Sequence, residues 1–278
     1  MKPFLGVDLT TNKKNEEGNG KEFWVASPSL ALQESWNRSF ANAQEKIEQS
    51  KLPLPLRVIQ WICGFGGLLV FFGILRADVT FEQGYKNAPG LFWFCGIALV
   101  IWAILKIAGT VKKNKVLGTD ESVYEFSYLE RNGNAIYEEL EVPANATEVD
   151  VLMFYYKMKN GEMKVCEKGM QIAPYLNPVF KIFADSENLY LANLEGKYAF
   201  PKSSIVTLHT IKKNIMVLSW NKDVPMNQEP YKQYKLDTNQ YGSFRCKQYH
   251  ILEISNDGES IGIYIPNYEM PVFEKYLK

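Results

Sequence analysis

The sequence predicts a membrane-anchored α+β chain, in which a hairpin of two transmembrane helices is followed by a mainly antiparallel β domain that closes on a C-terminal helix. Three observations carry that expectation. Two apolar runs, Leu56 to Leu75 and Leu91 to Val111, each have the length of about 20 residues that a helix needs to cross the hydrocarbon core of a bilayer. From Glu148 onward, short stretches rich in β-branched and aromatic residues alternate with Asp, Asn, Gly, Pro and Ser, the pattern of strands and turns. The chain ends on Pro266 to Leu277, where Phe273 and Leu277 share one face of a short helix.

At the N-terminus, FLGVDLT and EFWVA alternate apolar and polar residues around TNKKNEEGNGK, which predicts a hairpin with a long loop. From Ser29 the period changes. Leu32, Trp36, Phe40, Ala43 and Ile47 fall on one helical face, and Pro53 and Pro55 end the element. Its polar face is not lysine-rich, so this amphipathic helix suits either the bilayer interface or packing on the β domain. Residues 1–55 thus read as a cytoplasmic N-terminal segment and 56–111 as the two membrane helices with a short external loop.

The first apolar run carries no charge between Arg57 and Arg76, and the second carries only Lys106. Asp78, Glu82, Gly84, Asn87, Pro89 and Gly90 make the connection polar and helix-breaking. Because the first run begins past residue 50, it is not expected to be a cleaved signal. Lys51 and Arg57 precede the pair, and Lys112, Lys113 and Lys115 follow it. The excess of basic residues on that side predicts a multi-pass protein of the cell membrane with both termini cytoplasmic. Small residues, Cys63, Gly64, Gly66, Gly67 and Gly73 against Gly96, Ala98 and Ala103, would let the two helices approach closely. A transport pathway finds little support, since Lys106 is the only ionisable residue within the runs and its position near the end lets it snorkel.

After the membrane, Val123, Phe126, Leu129, Ile136 and Leu140 suit a helical connector over 112–146, although Asn132-Gly133 would also serve as a turn. Within 147–278 the expected strands are VDVLMFYYKM, MKVCE, VFKIFA, NLYLANL, KYAFP, SIVTLHTI, NIMVLSW, YHILEIS and SIGIYIP. In NLYLANLEGKYAFPKSSIVTLHTI a strand, a turn, a strand and a Pro-Lys-Ser-Ser-Ile corner follow one another. Together with YHILEISNDGESIGIYIPNYEMPVFEKYL, this order resembles the bacterial pleckstrin-homology-like (PH-like) domains of small membrane proteins, over about Thr147 to Lys278. The resemblance implies a binding fold without a fixed active site, and the fold alone does not name a ligand.

Charge narrows the partners. Met1 to Lys115 holds 14 basic and 9 acidic residues, whereas Val116 to Lys278 holds 17 basic and 22 acidic. An acidic soluble domain repels phosphate backbones, so no nucleic acid is expected and anionic head groups are disfavoured. Cys63, Cys95, Cys166 and Cys246 form no CxxC, and with only His209 and His250 the chain offers no clustered zinc ligands. No metal or cofactor is expected.

Gly258-Glu259-Ser260-Ile261-Gly262 matches the GxSxG pattern of hydrolases. The required context is a strand, a sharp turn and a helix, with an acid and a histidine later in the chain. Here SIGIYIP continues as a strand, so Asn256-Asp257-Gly258 reads as a hairpin turn and no catalytic residue is assigned. The segment from Asp223 to Lys247 is too long for an ordinary connection, and such segments are commonly functional or disordered. Its Tyr231, Tyr234, Tyr241, Phe244 and Arg245 are residue types that interfaces favour, and they are the candidate partner-binding residues.

The expectation for function is therefore a non-enzymatic integral membrane protein whose cytoplasmic domain binds an unidentified protein partner or organises a membrane complex. A homo-oligomer is left open. The alternative is an accessory subunit of a transport or envelope system acting through its helix hairpin. An enzyme with an unrecognised site is the third reading, and converging carboxylates of strongly raised pKa in a deep pocket would favour it.

Overall fold

A computed structural model describes residues 3–5, 7–8, 23–76, 81–151, 153–159, 162–165, 170–171, 179–220, 222–238, 243–256 and 259–277. The chain divides into two units, one made of Met1–Gln33 with Asn134–Lys278 and the other of Glu34–Gly133.

The second unit is helical. Helices α1 (Leu30–Ser50), α2 (Leu54–Arg76), α3 (Phe81–Asn87), α4 (Pro89–Leu117) and α5 (Asp120–Glu139) supply it. Pro55 and Pro89 stand in the first turns of α2 and α4, where a missing N–H costs nothing. Two of the five, over Leu54–Gly73 and Pro89–Leu117, are long and apolar enough to cross a membrane, and only 11% of each apolar stretch is buried within the protein.

Helices α2 and α4 meet where the side chains are small. A Cβ on Gly64 would lie 2.6 Å from Cδ1 of Trp102, and one on Gly67 would lie 3.1 Å from Leu99. The Cys95 thiol donates to the Gly67 carbonyl across 3.3 Å. Gly66, Gly73 and Gly96 face nothing within 4 Å, so only part of the small-residue set makes the contact.

Gly118 ends α4, and Thr119 starts α5 as its N-cap, accepting the Ser122 N–H at 3.2 Å ahead of Asp120 and Glu121 in the first turn. Within this unit α1 and α5 run antiparallel, joined by Lys46–Glu121 at 2.7 Å and by Asn42 donating to Glu125 at 3.2 Å. Asn132-Gly133 does not break α5, because the Asn132 amide is spent on Ser39 Oγ at 3.1 Å and on the Ser35 carbonyl at 3.4 Å. A tertiary contact thus overrides a local turn signal.

The first unit is built on strands. Its N-terminal pieces are β1 (Pro3–Leu5), β2 (Val7–Asp8) and β3 (Trp24–Ala26). Next come β4 (Thr147–Asp150), β5 (Met153–Lys159), β6 (Glu162–Val165), β7 (Met170–Gln171), β8 (Val179–Ala184), β9 (Asn188–Asn193) and β10 (Gly196–Pro201). The last are β11 (Ile205–Ser219), β12 (Asp237–Thr238), β13 (Ser243–Asn256) and β14 (Glu259–Pro266), before α6 (Met270–Leu277). One sheet runs β3-β10-β9-β8-β4, and another runs β2-β14-β13-β11-β7 with β12 also on β13. A smaller sheet runs β1-β5-β6.

In the first sheet β8, β9 and β10 run as a consecutive meander with β4 beside β8, in the second β11, β13 and β14 lie side by side, and α6 follows both. Phe180, Ile182, Leu189, Leu191 and Phe200 of the first sheet share one core with Leu252, Ile254, Ile261, Ile263 and Ile265 of the second and with Phe273 of α6. The period-2 alternation puts these side chains inside, and burial of their apolar area is the main favourable term.

Two expectations change. The two N-terminal strands do not form a hairpin: β2 pairs with β14 and β3 with β10, so each extends an open sheet edge. A two-stranded hairpin is marginal alone, whereas an edge offers unpaired backbone groups and a core for Phe23. SIVTLHTI and NIMVLSW are one strand, β11, with a register irregularity between Lys212 and Met216 against β13. The connector is helical, most of its residues lying in the end of α4, which runs on to Leu117, and in α5. The expected N-terminal loop and the hairpin turn at Asp257-Gly258 lie outside the described residues.

Candidate functional site

The segment after β11 is drawn onto the β domain by aromatic rings. Trp220 meets Tyr231 edge-on at 4.8 Å, Phe244 at 5.0 Å and Tyr268 at 5.5 Å, and its indole N–H donates to the Val224 carbonyl at 2.9 Å. From Pro225 to Lys235 the backbone bonds are local turns, among them Gln228 N–H to Pro225 at 3.0 Å and Tyr231 N–H to Gln228 at 2.9 Å. Lys235 takes a left-handed conformation, φ 48°. The following strand β12 pairs with β13.

The five residues selected from sequence fall in different places. Phe244 is fully buried against Trp220 and Tyr268, which makes it a core residue of the folded domain. Tyr231 is half-buried against the same pair. Tyr234 is half-buried at the end of a short 3-10 turn, and Arg245 is exposed on β13. Arg245, Leu236, Asp237 and Thr238 line a shallow depression, beside an exposed Lys247–Asp237 ion pair of 2.5 Å. Tyr241 lies outside the described residues.

Beneath these rings sits an ionic cluster. Asp150 ends β4, Lys222 follows Trp220 by two residues, and Tyr268 and Glu269 occupy the turn between β14 and α6. Asp150 and Glu269 are each 2% exposed. Lys222 Nζ lies 2.5 Å from Glu269 Oε1, the same oxygen that accepts the Asp150 backbone N–H at 2.9 Å. Tyr268 donates to Asp150 Oδ2 at 2.7 Å, and among the described residues Asp150 Oδ1 accepts no hydrogen bond.

Burial pushes both carboxyls above their ordinary range. For Asp150 the nearby Lys222 ammonium and the Tyr268 hydroxyl oppose the rise without cancelling it. Glu269 is pushed up to about 7, burial leading, with Lys222 pulling it down and the Asp150 charge adding to the rise. Lys222 itself would be lowered by burial, but the two carboxylates hold it above the usual lysine value. The phenol of Tyr268, wholly enclosed and facing both acids, is raised well above its ordinary value.

Chemically, the cluster can hold a proton and pin the start of the segment. Converging carboxylates of raised pKa are present, but Tyr268 occupies Asp150 Oδ2, and Lys222 and the Asp150 backbone N–H together occupy Glu269 Oε1. Sequence reading missed all four residues. The available signal was Asp150 itself, a carboxylate inside the apolar run Val149-Asp150-Val151, which requires a buried partner. No local pattern pointed to Lys222 or Glu269 as that partner.

The other motifs take structural places. His250 Nε2 lies 2.7 Å from Asn267 Oδ1 and its Nδ1 lies 3.2 Å from Thr210 Oγ1, while His209 is exposed on β11. Ser260 belongs to β14 in register with Ser255, so no strand-turn-helix elbow surrounds it. Among the described residues no group of three or more His, Cys, Asp or Glu could hold a metal ion. Compared with known proteins, the chain matches no family model, no curated protein and no solved structure.

Proposed function

We propose that the protein is a membrane-anchored, non-enzymatic binding protein, with α2 and α4 spanning the bilayer and the β domain recruiting a protein partner on the cytoplasmic side. The observation that carries this reading is the outward apolar surface of both helices, with Trp61 69% and Ile107 64% exposed. Such surface on two helices of this length is costly in water and favourable in lipid. Lysines beside the outer ends of the pair, Lys51 and Lys112 among them, favour cytoplasmic termini.

The β8-β9-β10 meander, the second antiparallel set β11-β13-β14 and the closing helix α6 are what supports a PH-like reading of the β domain. Its contact surface is the segment over Tyr231 and Tyr234 with the neighbouring Arg245. The closed packing around Asp150 and Glu269 favours a holding role over turnover of a substrate.

The test is recovery of partners from a mild-detergent extract, with the intact chain as bait, beside a hairpin lacking residues 147–278 and a Tyr231→Ala, Tyr234→Ala, Arg245→Ala variant. Loss of the same proteins from both, at unchanged thermal stability of the variant, supports the reading. Full recovery by the hairpin alone moves function to the helices, and full recovery by the triple variant removes this surface. A cysteine at Asn87 should react with an impermeant thiol reagent in intact cells and one at Ser203 should not; the reverse pattern sinks the topology. Cys246 is unsuited to report on sidedness, being buried.

A further inference from the structure

We propose that Asp150, Glu269 and Lys222 form a proton-held latch, which keeps the segment from Lys222 to Tyr234 closed on the β domain while the cluster carries its proton and loosens it when that proton is lost. Its functional meaning rests on reading this segment as part of the contact surface.

The geometry sets the charge balance. Two carboxylates, each 2% exposed, face one ammonium. Fully ionised, the three groups carry a net charge of −1 in a site from which water is excluded, and an uncompensated buried charge is strongly unfavourable. One proton shared between the acids makes the cluster neutral. The hydrogen bonds fit a shared proton, because Glu269 Oε1 takes both the Lys222 ammonium and the Asp150 N–H, while Asp150 Oδ1 takes no donor among the described residues.

Among the described residues a further cation, Lys181 of β8, pairs with Glu148 at 2.7 Å. Glu148 on β4 acts on Asp150, and Lys222 reaches the Glu148 carbonyl at 3.4 Å. Tyr231 acts on Lys222 from the segment and Tyr268 on Asp150 from the turn, while Asp223 acts on Tyr231 and Cys246 of β13 on Tyr268. Tyr234 faces both Glu269 and Glu274 of α6. Glu148 makes a negative charge on Asp150 less favourable, and Asp223 and Glu274 do the same for Tyr231 and Tyr234 of the segment.

The sign follows from burial. Glu269 holds its proton up to about 7, above the ordinary glutamate value of 4.5, so the closed state binds that proton more tightly than an opened one. The stabilisation is complete below the ordinary value and is lost as pH rises through about 7. The part that yields is the segment, because its backbone bonds are local turns. Asp150 is laddered to β8, and the turn carrying Glu269 adjoins β14 and α6. Opening uncovers Trp220 and Phe244, an aromatic surface of the type that anchors a partner.

The test is hydrogen exchange by mass spectrometry on the full chain in mild detergent from pH 5.5 to 8.5, corrected for intrinsic exchange and with no partner present. Opening of residues 222–234 should rise about tenfold or more across this range, while β9 stays unchanged. Glu269→Gln, neutral at every pH, should give a flat profile, and Asp150→Asn carries the same expectation where the first variant folds poorly. A flat wild-type profile, or a pH dependence that survives in the neutral variant, overturns the latch. Either result leaves partner recovery to stand or fall by itself, since the exchange measurement involves no partner.

Discussion

The helix pair α2–α4 and the β unit are packed by opposite rules. In the β unit the large apolar side chains point inward, with Phe180, Phe200 and Phe273 fully buried around one core. In the helix pair they point outward, and the inward positions go to Gly64, Gly67, Cys95 and Ala98. The polar groups reverse as well. The β unit buries Asp150 and Glu269 at its ionic cluster, whereas the only charged residue within the apolar run of α4, Lys106, is exposed. On the proposed membrane-anchored reading, the difference is what a chain divided between two solvents requires. Water drives large apolar groups together, whereas in hydrocarbon only close backbone approach distinguishes a neighbouring helix from lipid.

Truncation tests this contrast most strongly. Phe180→Ala should destabilise the β unit by about 3–5 kcal/mol, because it leaves a cavity in a core that cannot fully collapse. Leu69→Ala on α2, where the side chain is 58% exposed, should cost almost nothing when the protein sits in lipid. Thermal unfolding in bilayer nanodiscs, followed separately for each unit, reads both. Equal costs for the two changes would place the outer face of α2 against protein and break the comparison.

The same contrast explains how much was legible in the sequence. Strands β8, β9, β10 and β14 were readable, since alternation and turn residues are local signals, and so were the two long helices. What failed needed partners distant in the chain. The N-terminal strands alternate correctly, yet only the free edges of β10 and β14 decide what they pair with. Asn132-Gly133 looks like a turn until Ser39 claims the amide. Phe244 carries the interface signature of an aromatic in a long connection, but Trp220 and Tyr268 enclose it. The ionic cluster joins residues 150, 222 and 269, and no spacing in one dimension encodes that.

A second, smaller effect separates the glycines of the helix pair. Gly64→Ala would set a Cβ 2.6 Å from the Trp102 ring, so the helices must part or the indole must turn, at a cost of about 1–3 kcal/mol. Gly66→Ala meets nothing within 4 Å and should be silent or slightly stabilising, since alanine is the better helix former. Disulfide trapping between cysteines placed across α2 and α4, compared in the two variants, checks the difference. Equal trapping would mean that backbone approach at Gly64 does not hold the pair together.

The smallest effect concerns a polar joint inside the β unit. Lys197 on β10 donates to the Leu140 carbonyl at 2.6 Å, just past the end of α5, with Glu141 in a left-handed conformation, φ 55°, immediately after. The last carbonyls of a helix have no partner within it, and a cation there also meets the negative end of the helix dipole. Lys197 is only 12% exposed along its side chain, so its aliphatic stem is packed as well as its ammonium. Lys197→Met keeps most of that stem and removes the donor and the charge, which should cost about 1 kcal/mol. For a unit of this size that is a fall in melting temperature of about 2–4 °C. Lys197→Ala should cost more, because it loses the packing too. If Met and Ala behave alike, the hydrogen bond carries the whole effect; if Met matches the wild type, the stem does, and the carbonyl of Leu140 is satisfied by water.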